Sequence, residues 1–281
     1  MNKSKKILGF LFVLPSLIGV LIFYIIPFIW SFMYCFTTGV VNRKFVGLNN
    51  FKLLFSNEAY RLAIKNTVTI TAIAVPAVCV ISLTIALLIE KNLKKYRKLQ
   101  GILLVPMAIP AASLVLVWQD LWSSHGIVND IFNLQIDWLG SAFASLIITG
   151  IMIWKNVGYN ILIVISALLA LPKEYEEAAY LEGAGTITRA VCIKLPNIMH
   201  MIFFLVIISL FNSFKIFREV YLLQGSYPNE NLYLLQHFMN NNFNKLNYEQ
   251  VSAAAFLLYI VIFVVIYVMS YLQRRYTEGL N

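Results

Sequence analysis

Six long runs of apolar residues constrain this chain of 281 residues more than any other feature. They predict spans at about residues 8–34, 67–89, 101–122, 142–170, 199–223 and 252–272. Each run supplies the roughly 20 apolar residues that a helix needs to cross about 30 Å of hydrocarbon. Because a bilayer core offers no water to backbone groups, such runs must be helical. We therefore expect an all-α membrane protein with six transmembrane helices, forming a single transmembrane domain over residues 1–281.

The composition supports a membrane protein and argues against a soluble one. Hydrophobic residues make up 60% of the chain and charged residues only 12%, whereas a soluble domain usually carries about 25% charge. The net charge is +9, but the basic residues cluster at the borders of the apolar runs. Anionic lipid attracts cations at such borders, so the charge does not indicate nucleic-acid binding.

The distribution of Lys and Arg predicts which loops face the cytoplasm. The loop over residues 90–100 holds five cations, whereas the loop over residues 123–140 holds none. Cations also precede the first run, and Arg274 and Arg275 follow the sixth. Cytoplasmic loops are enriched in Lys and Arg, so we expect both termini in the cytoplasm. Residues 37–65 carry five cations on the predicted outer side, against this rule.

A polar island at residues 171–197 separates the fourth and fifth runs. Four of the thirteen acidic residues in the chain lie within nine positions of this island, namely Glu174, Glu176, Glu177 and Glu182. Pro172 suits the first turn of a helix, where its missing N–H costs nothing. Carboxylates are favourable near a helix N-terminus. The island therefore begins with a predicted helix that lies outside the hydrocarbon.

The second half of the island predicts a turn and another helix. Gly183 and Gly185 supply a stop or a turn, and Thr186 can cap a following helix. We expect that helix to end before Pro196, because a residue that precedes a proline disfavours the helical region. The island is thus a predicted helix–turn–helix.

The island also contains a spaced motif that resembles a known family. Glu177-Ala178-Ala179 is followed by Gly183 and, after nine further residues, by Ile193-Lys194-Leu195-Pro196. This spacing resembles the EAA motif, E-A-A-x-x-x-G and then I-x-L-P, which marks the membrane subunits of binding-protein-dependent ABC importers. The resemblance implies a type I permease fold with a cytoplasmic coupling helix, in loop 172–196, that docks on an ATPase; a merely solvated loop helix is the alternative. It implies coupling roles for Glu177, Ala178, Ala179, Glu182, Gly183, Leu195 and Pro196.

A second stretch narrows the family. Phe45-Val46-Gly47-Leu48-Asn49-Asn50-Phe51 resembles the sugar-type branch, with its maltose and glycerol-phosphate permeases; a generic amphipathic loop is the alternative. This branch implies a sugar or oligosaccharide substrate that an extracytoplasmic solute-binding protein delivers. It also implies a second permease subunit in a heterodimer, two ABC ATPase subunits, and a place in the bacterial cytoplasmic membrane. ATP and Mg would bind to the ATPase subunits, and this chain would hold no cofactor.

The sequence contains no motif for catalysis or for metal binding. The patterns GxxxxGK[ST], HExxH and GxSxG are absent, and Cys and His residues do not cluster. We therefore expect a transport subunit without an ATPase site of its own, and not an enzyme.

Polar residues inside two of the runs are candidates for the substrate pathway. Such residues are costly in a membrane and usually face a cavity or a partner. Sugars are bound by amide and hydroxyl hydrogen bonds and by stacking on aromatic faces. The candidates of these types are Trp154, Asn156, Gly158 and Tyr159 in the fourth run, and Asn212, Ser213 and Phe214 in the fifth. Packing between helices is an equal alternative for each of them.

Charged residues at the end of the fifth run leave a rival function open. Lys215, Arg218 and Glu219 lie there, and Glu219 is the one acid deep in a predicted span. An ion-coupled secondary transporter of a polar solute would need intramembrane acids or inverted repeats. Because the sequence shows no internal repeat, the ATP-driven importer is the preferred interpretation.

Overall fold

The computed structural model of the chain describes residues 3–39, 43–90 and 93–278. Its α-helices are Lys3–Val20, Ile26–Phe36, Asn49–Ser56, Glu58–Ile89, Leu93–Ala108, Ala111–Trp122, Ile127–Phe132, Ala144–Leu169, Lys173–Leu181, Thr186–Arg189, Leu195–Asn197, Met199–Lys215, Phe217–Gln224, Leu235–Asn244 and Tyr248–Glu278. Leu21–Ile25 and Ala190–Lys194 are π-helical, and Glu230–Leu232 is a 3-10 turn. Two short strands, Thr37–Thr38 and Lys44–Phe45, pair antiparallel with Thr37 opposite Phe45. Lys91, one of the cations in the predicted cytoplasmic loop, lies outside the described residues.

Five helices in the described part of the chain are long and apolar enough to cross a membrane. They are Phe10–Phe36, Glu58–Ile89, Ala144–Leu169, Met199–Gln224 and Tyr248–Tyr276. A bent pair, Gln100–Ala108 with Ala111–Phe132, provides a sixth if the two helices count as one span. These helices correspond in order to the six predicted spans.

The second span begins earlier than the sequence predicts. Its helix starts at Glu58 and not near residue 67, and the side chain of Asn57 accepts a hydrogen bond from the Tyr60 N–H at 3.3 Å. Asparagine at such a position caps the first turn of a helix. Residues 37–65, predicted as a polar external segment, therefore include helix Asn49–Ser56 and the first turns of the second span. Charged side chains on the exposed face, such as Arg61, concealed these turns in the sequence.

The third span is broken at a proline. The bent pair Gln100–Ala108 and Ala111–Phe132 turns by 91°. Pro110 has no N–H with which to continue the first helix, and its backbone is extended, with φ −58° and ψ 140°. Non-helical backbone at membrane depth is tolerated only where it is buried in protein or lines a cavity. At the break, the backbone must therefore be buried in protein or line a cavity.

Two π-helical turns precede prolines and let the chain stay helical through them. Leu21–Ile25 comes just before Pro27, and Ala190–Lys194 comes just before Pro196. A proline ring clashes with the carbonyl four residues earlier and donates no hydrogen bond. A wider π turn relieves this conflict by shifting the pattern of backbone hydrogen bonds. The first span is thus continuous despite Pro27.

The chain forms two compact units. One combines Met1–Arg61 with Met239–Ile262, and the other combines Leu62–Phe238 with Phe263–Asn281. The assignment of the whole chain to one transmembrane domain stays a prediction.

In the smaller unit, Asn50 fastens the amphipathic helix Asn49–Ser56 to the end of the first span. Its buried side-chain amide nitrogen lies within 3.2 Å of the carbonyl oxygens of Tyr34, Cys35 and Thr37. These carbonyls lie at a helix C-terminus, where the last C=O groups have no intrahelical partner. Asn50 therefore ends the span and orients the segment that resembles the sugar-type branch.

The larger unit has a continuous apolar core formed largely by the fourth and second spans, to which the fifth adds Leu205. Ile148, Ile165 and Leu205 are fully buried in it. A buried polar contact crosses this core, since the Asn160 amide donates to the Ser209 hydroxyl at 2.9 Å. Interhelical hydrogen bonds of this kind hold membrane helices together where the hydrophobic effect between helices is absent.

Gly158 in the fourth span lies directly against the backbone of helix Leu93–Ala108. A Cβ atom at this position would lie 1.8 Å from the Leu103 carbonyl oxygen, a distance that real Cβ atoms never reach. Small residues at membrane helix crossings permit this close approach. Gly158 is therefore required for the packing of these two helices.

We predict that Gly158→Ala destabilises the protein by about 1–3 kcal/mol, because the backbone of Leu103 must move to admit the methyl group. The measurement is the apparent melting temperature of the purified protein in detergent. Gly150→Ala is the matched control, since Gly150 lies in the same helix and a Cβ there meets nothing within 4 Å. An unchanged melting temperature for Gly158→Ala would contradict the packing described here.

His237, in helix Leu235–Asn244, is buried as a neutral imidazole. Its Nδ1 accepts a hydrogen bond from the Leu234 N–H at 3.1 Å, and its ring packs edge-on against Phe217 at a centroid distance of 4.7 Å. The ring is fully buried. Burial disfavours the charged form and lowers the pKa of His237 from 6.5 to about 4.

This pKa predicts that stability falls in acid. The unfolded chain binds a proton at His237 below about pH 6.5, whereas the folded chain resists until about pH 4. The stability is therefore complete above pH 6.5 and declines by as much as about 3 kcal/mol as the pH falls to 4. We expect His237→Gln to flatten the pH dependence of the melting temperature over this range. His125→Gln, which changes an exposed histidine, should leave the slope of the wild type unchanged.

Candidate functional site

The first helix of the polar island spans Lys173–Leu181 and follows Pro172 directly. Gly183 has φ +81°, a left-handed conformation that favours glycine. The Ala184 N–H donates to the Ala179 carbonyl at 2.9 Å, and the Gly183 N–H donates to the Tyr180 carbonyl at 3.0 Å. This pair of hydrogen bonds is a Schellman motif, which closes the helix end. The predicted helix stop at Gly183 is therefore confirmed.

The second helix of the island differs from the prediction in two respects. Gly185, and not Thr186, occupies the N-cap position, and the helix begins at Thr186. The prediction that the helix ends before Pro196 is also wrong. After the π turn Ala190–Lys194 a helical segment, Leu195–Asn197, carries Pro196 in its first turn, where the missing N–H costs nothing. The I-x-L-P part of the motif is therefore helical.

A buried cation ties this loop to the end of the second span. The Lys194 ammonium lies 3.0 Å from both carboxylate oxygens of Glu90 and 3.1 Å from a carboxylate oxygen of Glu176. Arg189 lies 3.6 Å from Glu176 as well. Lys194 is only 8% exposed, so its charge depends on these carboxylates for stabilisation. The network joins the first and second helices of the loop to the residue that follows the second span.

The outer face of the loop is exposed and partly apolar. The motif residues Glu177, Ala178, Glu182 and Gly183 are exposed, whereas Ala179 is buried and Leu195 and Pro196 are half-buried. Three large apolar side chains surround the turn, with Leu181 85% exposed, Ile187 79% and Tyr180 67%. Such a patch on a folded protein marks a surface for a partner.

A second candidate site is a cavity of about 260 Å³ at the break of the third span. Ala108 to Ala111 line it, together with Asn156 and Asn212. Lys155, Lys215, Arg218 and Glu219 complete its polar wall. Two of the predicted pathway residues, from different spans, thus meet in one cavity. The Lys215 ammonium donates to the Asn212 side-chain oxygen at 2.7 Å.

The other predicted pathway residues lie mainly in contacts between helices. Trp154 packs edge-on against Trp118 at 5.4 Å, and the Thr71 hydroxyl donates to Ser213 at 3.1 Å. Gly158 lies on the Leu103 backbone as described above, while Tyr159 and Phe214 are half-buried. A direct role of these residues toward substrate stays a prediction.

Sequence reasoning missed both sets of ion pairs. Glu219 is bonded to Lys155, which lies in a different span. Lys194 pairs both with Glu90, which follows the second span, and with Glu176 in helix Lys173–Leu181. A usable signal existed for the first pair, because lone charges inside apolar runs usually need one another. For the second, no periodicity or spacing in the sequence connects residue 90 with residue 194.

The sequence pattern of one family matches residues 80–278, from the second span to the end of the sixth. It is described as the binding-protein-dependent transport system inner membrane component. The chain belongs to this family. Membership supports the ATP-driven importer and not the ion-coupled secondary transporter.

Two permeases of this family are similar to the chain over most of its length. The trehalose/maltose transport system permease protein MalF of Thermococcus litoralis is 27% identical over 95% of both chains. The sn-glycerol-3-phosphate transport system permease protein UgpA of Escherichia coli O6:K15:H31 is 28% identical over 97% of this chain and 94% of its own. Similarity thus extends beyond the E-A-A-x-x-x-G motif of the polar island.

Solved structures show the same fold. A chain in the crystal structure of a bacterial alginate ABC transporter, in complex with an alginate-pentasaccharide-bound periplasmic protein, superposes with a TM-score of 0.84. It is 25% identical, and the match covers 98% of this chain and 96% of that one. A chain of an amino acid ABC transporter is more distant, with a TM-score of 0.55 at 16% identity over 80% of this chain and 97% of that one. The all-α, type I ABC permease fold that the sequence implies is therefore confirmed.

We predict that Lys194→Gln loosens the loop, because it leaves the carboxylates of Glu90 and Glu176 without their cation. Breaking a buried ion pair costs about 3–5 kcal/mol. Glu176 is 43% exposed and partly screened, so we expect about 1–2 kcal/mol here. Amide hydrogen exchange over residues 173–197 should then be faster by a factor of about 5–30.

The matched control is Lys173→Gln, which removes the same charge from an exposed residue at the start of the same loop. The double variant Glu90→Gln/Lys194→Gln should recover part of the protection, since it removes a buried charge of each sign. Wild-type exchange in Lys194→Gln would show that the ion pair does not hold the loop.

Proposed function

We propose that this permease forms, with a second permease subunit, the pathway for a sugar or oligosaccharide that an external binding protein delivers. Two ABC ATPase subunits, which hold ATP and Mg, drive the transport cycle, and this chain has no ATPase site of its own. The observation that carries the proposal is the loop at residues 172–196, which is rigid at its base and apolar and exposed at its tip. We call this segment the coupling loop.

The tip of the coupling loop has the character of a docking surface. Leu181, Ile187 and Tyr180 expose apolar side chains to solvent around the turn at Gly183. Covering apolar area stabilises a complex by about 25 cal/mol per Å² before the costs of association. The acids Glu177 and Glu182 lie beside this patch and can pair with cations of a partner. A groove on an ATPase subunit meets both requirements.

The base of the coupling loop can transmit motion. Lys194 links it to Glu90, directly after the second span, by contacts of 3.0 Å. A loop that swung freely would dissipate the movement of an ATPase before it reached the membrane. Because the ion pair is largely buried, the loop and the end of the second span move as one body. Docking at the tip is thereby coupled to the pathway.

The substrate assignment rests on the relatives and on the chemistry of the cavity. The relatives are named for transport of trehalose and maltose, of sn-glycerol-3-phosphate, and of alginate. The cavity at the break of the third span presents the amides of Asn156 and Asn212, and amides bind hydroxyl groups. We place this cavity on the pathway, with the coupling loop and both termini of the chain on the cytoplasmic side.

Uptake by membrane vesicles tests the function. Vesicles that contain the assembled complex and its binding protein should accumulate a labelled sugar with ATP. A proton ionophore at constant ATP should leave this uptake unchanged. Uptake that the ionophore abolishes, or that proceeds without ATP, would overturn the proposal in favour of an ion-coupled transporter.

Two substitutions in the coupling loop should separate ATP hydrolysis from transport. Glu177→Lys reverses an exposed charge of the docking surface, and Gly183→Asp places a side chain at φ +81°, where it costs about 1–2 kcal/mol. We expect each variant to be inserted in the membrane and to reduce uptake at least about tenfold, the equivalent of 1.4 kcal/mol in coupling. ATP hydrolysis should persist without stimulation by the loaded binding protein.

Each variant has a matched control in the same loop. Glu174→Lys makes the same charge change at an exposed position outside the motif. Gly185→Asp places aspartate at an N-cap with open space around the Cβ, where aspartate is favourable. Both controls should transport normally, and normal uptake by Glu177→Lys and Gly183→Asp would refute the coupling role.

A further inference from the structure

The cavity at the break of the third span is lined by more positive than negative groups. Lys155, Lys215 and Arg218 contribute cations, and Glu219 is the only acid among its described lining residues. The Glu219 carboxylate is 3% exposed and bonded to the Lys155 ammonium. This pair cancels one charge of each sign. The charges of Lys215 and Arg218 remain.

Among the residues that the structure describes, no carboxylate forms an ion pair with either of these two cations. The Lys215 ammonium donates to the side-chain oxygen of Asn212 at 2.7 Å. Because an amide is neutral, this hydrogen bond does not cancel the positive charge of Lys215. Arg218 is exposed, and it forms no ion pair with any residue that the structure describes. Uncompensated charges are costly at membrane depth and usually mark a pathway or a ligand. A planar guanidinium binds carboxylates and phosphates with two parallel hydrogen bonds.

A helix N-terminus adds a further positive field. Ala111, the first residue of helix Ala111–Trp122, lies in the cavity wall. The first N–H groups of a helix have no intrahelical partner and carry a partial positive charge. Broken membrane helices direct such N-termini at anionic groups of a substrate.

Glu219 adds a need for a hydrogen-bond donor in the cavity. Its second carboxylate oxygen, Oε2, is buried and has no hydrogen-bond partner among the described residues. A buried acceptor of this kind costs free energy until a donor reaches it. A hydroxyl group of a ligand in the cavity would supply that donor. The cavity thus calls for an anion and a hydroxyl group together.

We propose that this cavity binds a hydroxylated anion, such as a sugar acid or a sugar phosphate, and that the transported solute is anionic. The assignment rests on the proposed function, since it specifies the substrate class of the same pathway. Arg218 and Lys215 hold the carboxylate or phosphate, and Glu219 accepts a hydrogen bond from a hydroxyl group. A neutral sugar would leave both cations uncompensated.

Ligand binding to the purified full-length chain, with the partners that co-purify, tests the proposal without ATP or transport. The protein is placed in nanodiscs of phosphatidylcholine, and saturation-transfer NMR compares D-glucuronate and glucose 6-phosphate with the neutral D-glucose. We expect both anions to bind at least about tenfold more tightly than D-glucose, because they compensate the two cations. Equal affinity for D-glucuronate and D-glucose would overturn the proposal, even if ATP-driven uptake of a neutral sugar is found.

Substitutions identify the groups that bind the anion. Arg218→Gln and Lys215→Gln should each weaken D-glucuronate binding about tenfold, with no change in the weak D-glucose signal. Arg218→Lys should retain part of the affinity, and Lys173→Gln in the coupling loop should retain all of it. Wild-type affinity for D-glucuronate in both glutamine variants would overturn the assignment. The conservative Arg218→Lys variant distinguishes a lost charge from a lost fold.

Lipid is the other source of an anion. Native mass spectrometry of the protein in discs that contain phosphatidylglycerol measures lipid retention. Phosphatidylglycerol that is retained by the wild type and lost from Arg218→Gln, with no saturable binding of D-glucuronate, would assign the cavity to a headgroup and overturn a solute site. Binding of D-glucuronate that phosphatidylglycerol does not displace would support the solute.

Discussion

A bilayer core provides no hydrogen-bond partner for the backbone, and this constraint governs where the chain can depart from a helix. The spans are helical almost throughout. Pro15, Pro76 and Pro106 lie inside α-helices, whereas two other prolines are accommodated by a change in the backbone. Ahead of Pro27 a π turn keeps the first span continuous. At Pro110 the helix breaks and the chain bends by 91°. The break coincides with a polar cavity, which is the one setting besides burial in protein where open backbone is tolerated at this depth.

Buried charges organise the two regions that the proposed function requires. In the coupling loop, Lys194 holds Glu90 and Glu176, so that the proposed docking surface is fixed to the end of the second span. In the cavity, Lys155 holds Glu219 and thereby positions an acceptor beside Arg218. A buried ion pair is costly to form and costly to break. Such pairs contribute little net stability, but they define geometry.

Much of the fold could be predicted from the sequence because hydropathy and membrane thickness leave few alternatives. The six apolar runs correspond to the observed spans, and the spacing from Glu177 to Pro196 identified the family that the match over residues 80–278 shows. Errors arose where tertiary context decides the local structure. Residues 58–66 are helical since one face is buried, and Pro196 lies inside a helix because a π turn precedes it. The pairing of Lys194 with Glu90, at the ends of distant segments, follows from packing alone.

Co-purification tests the central claim that the coupling loop is an ATPase docking surface. The full chain with a C-terminal tag is isolated from native membranes after mild solubilisation, and partners are identified by mass spectrometry. We predict recovery of an ATPase, a second permease and a solute-binding protein, and loss of the ATPase by about tenfold or more in Leu181→Asp. Ile131→Asp, at an exposed apolar position of helix Ile127–Phe132, should retain the ATPase. Recovery of the chain alone, or full retention of the ATPase by Leu181→Asp, would contradict the account.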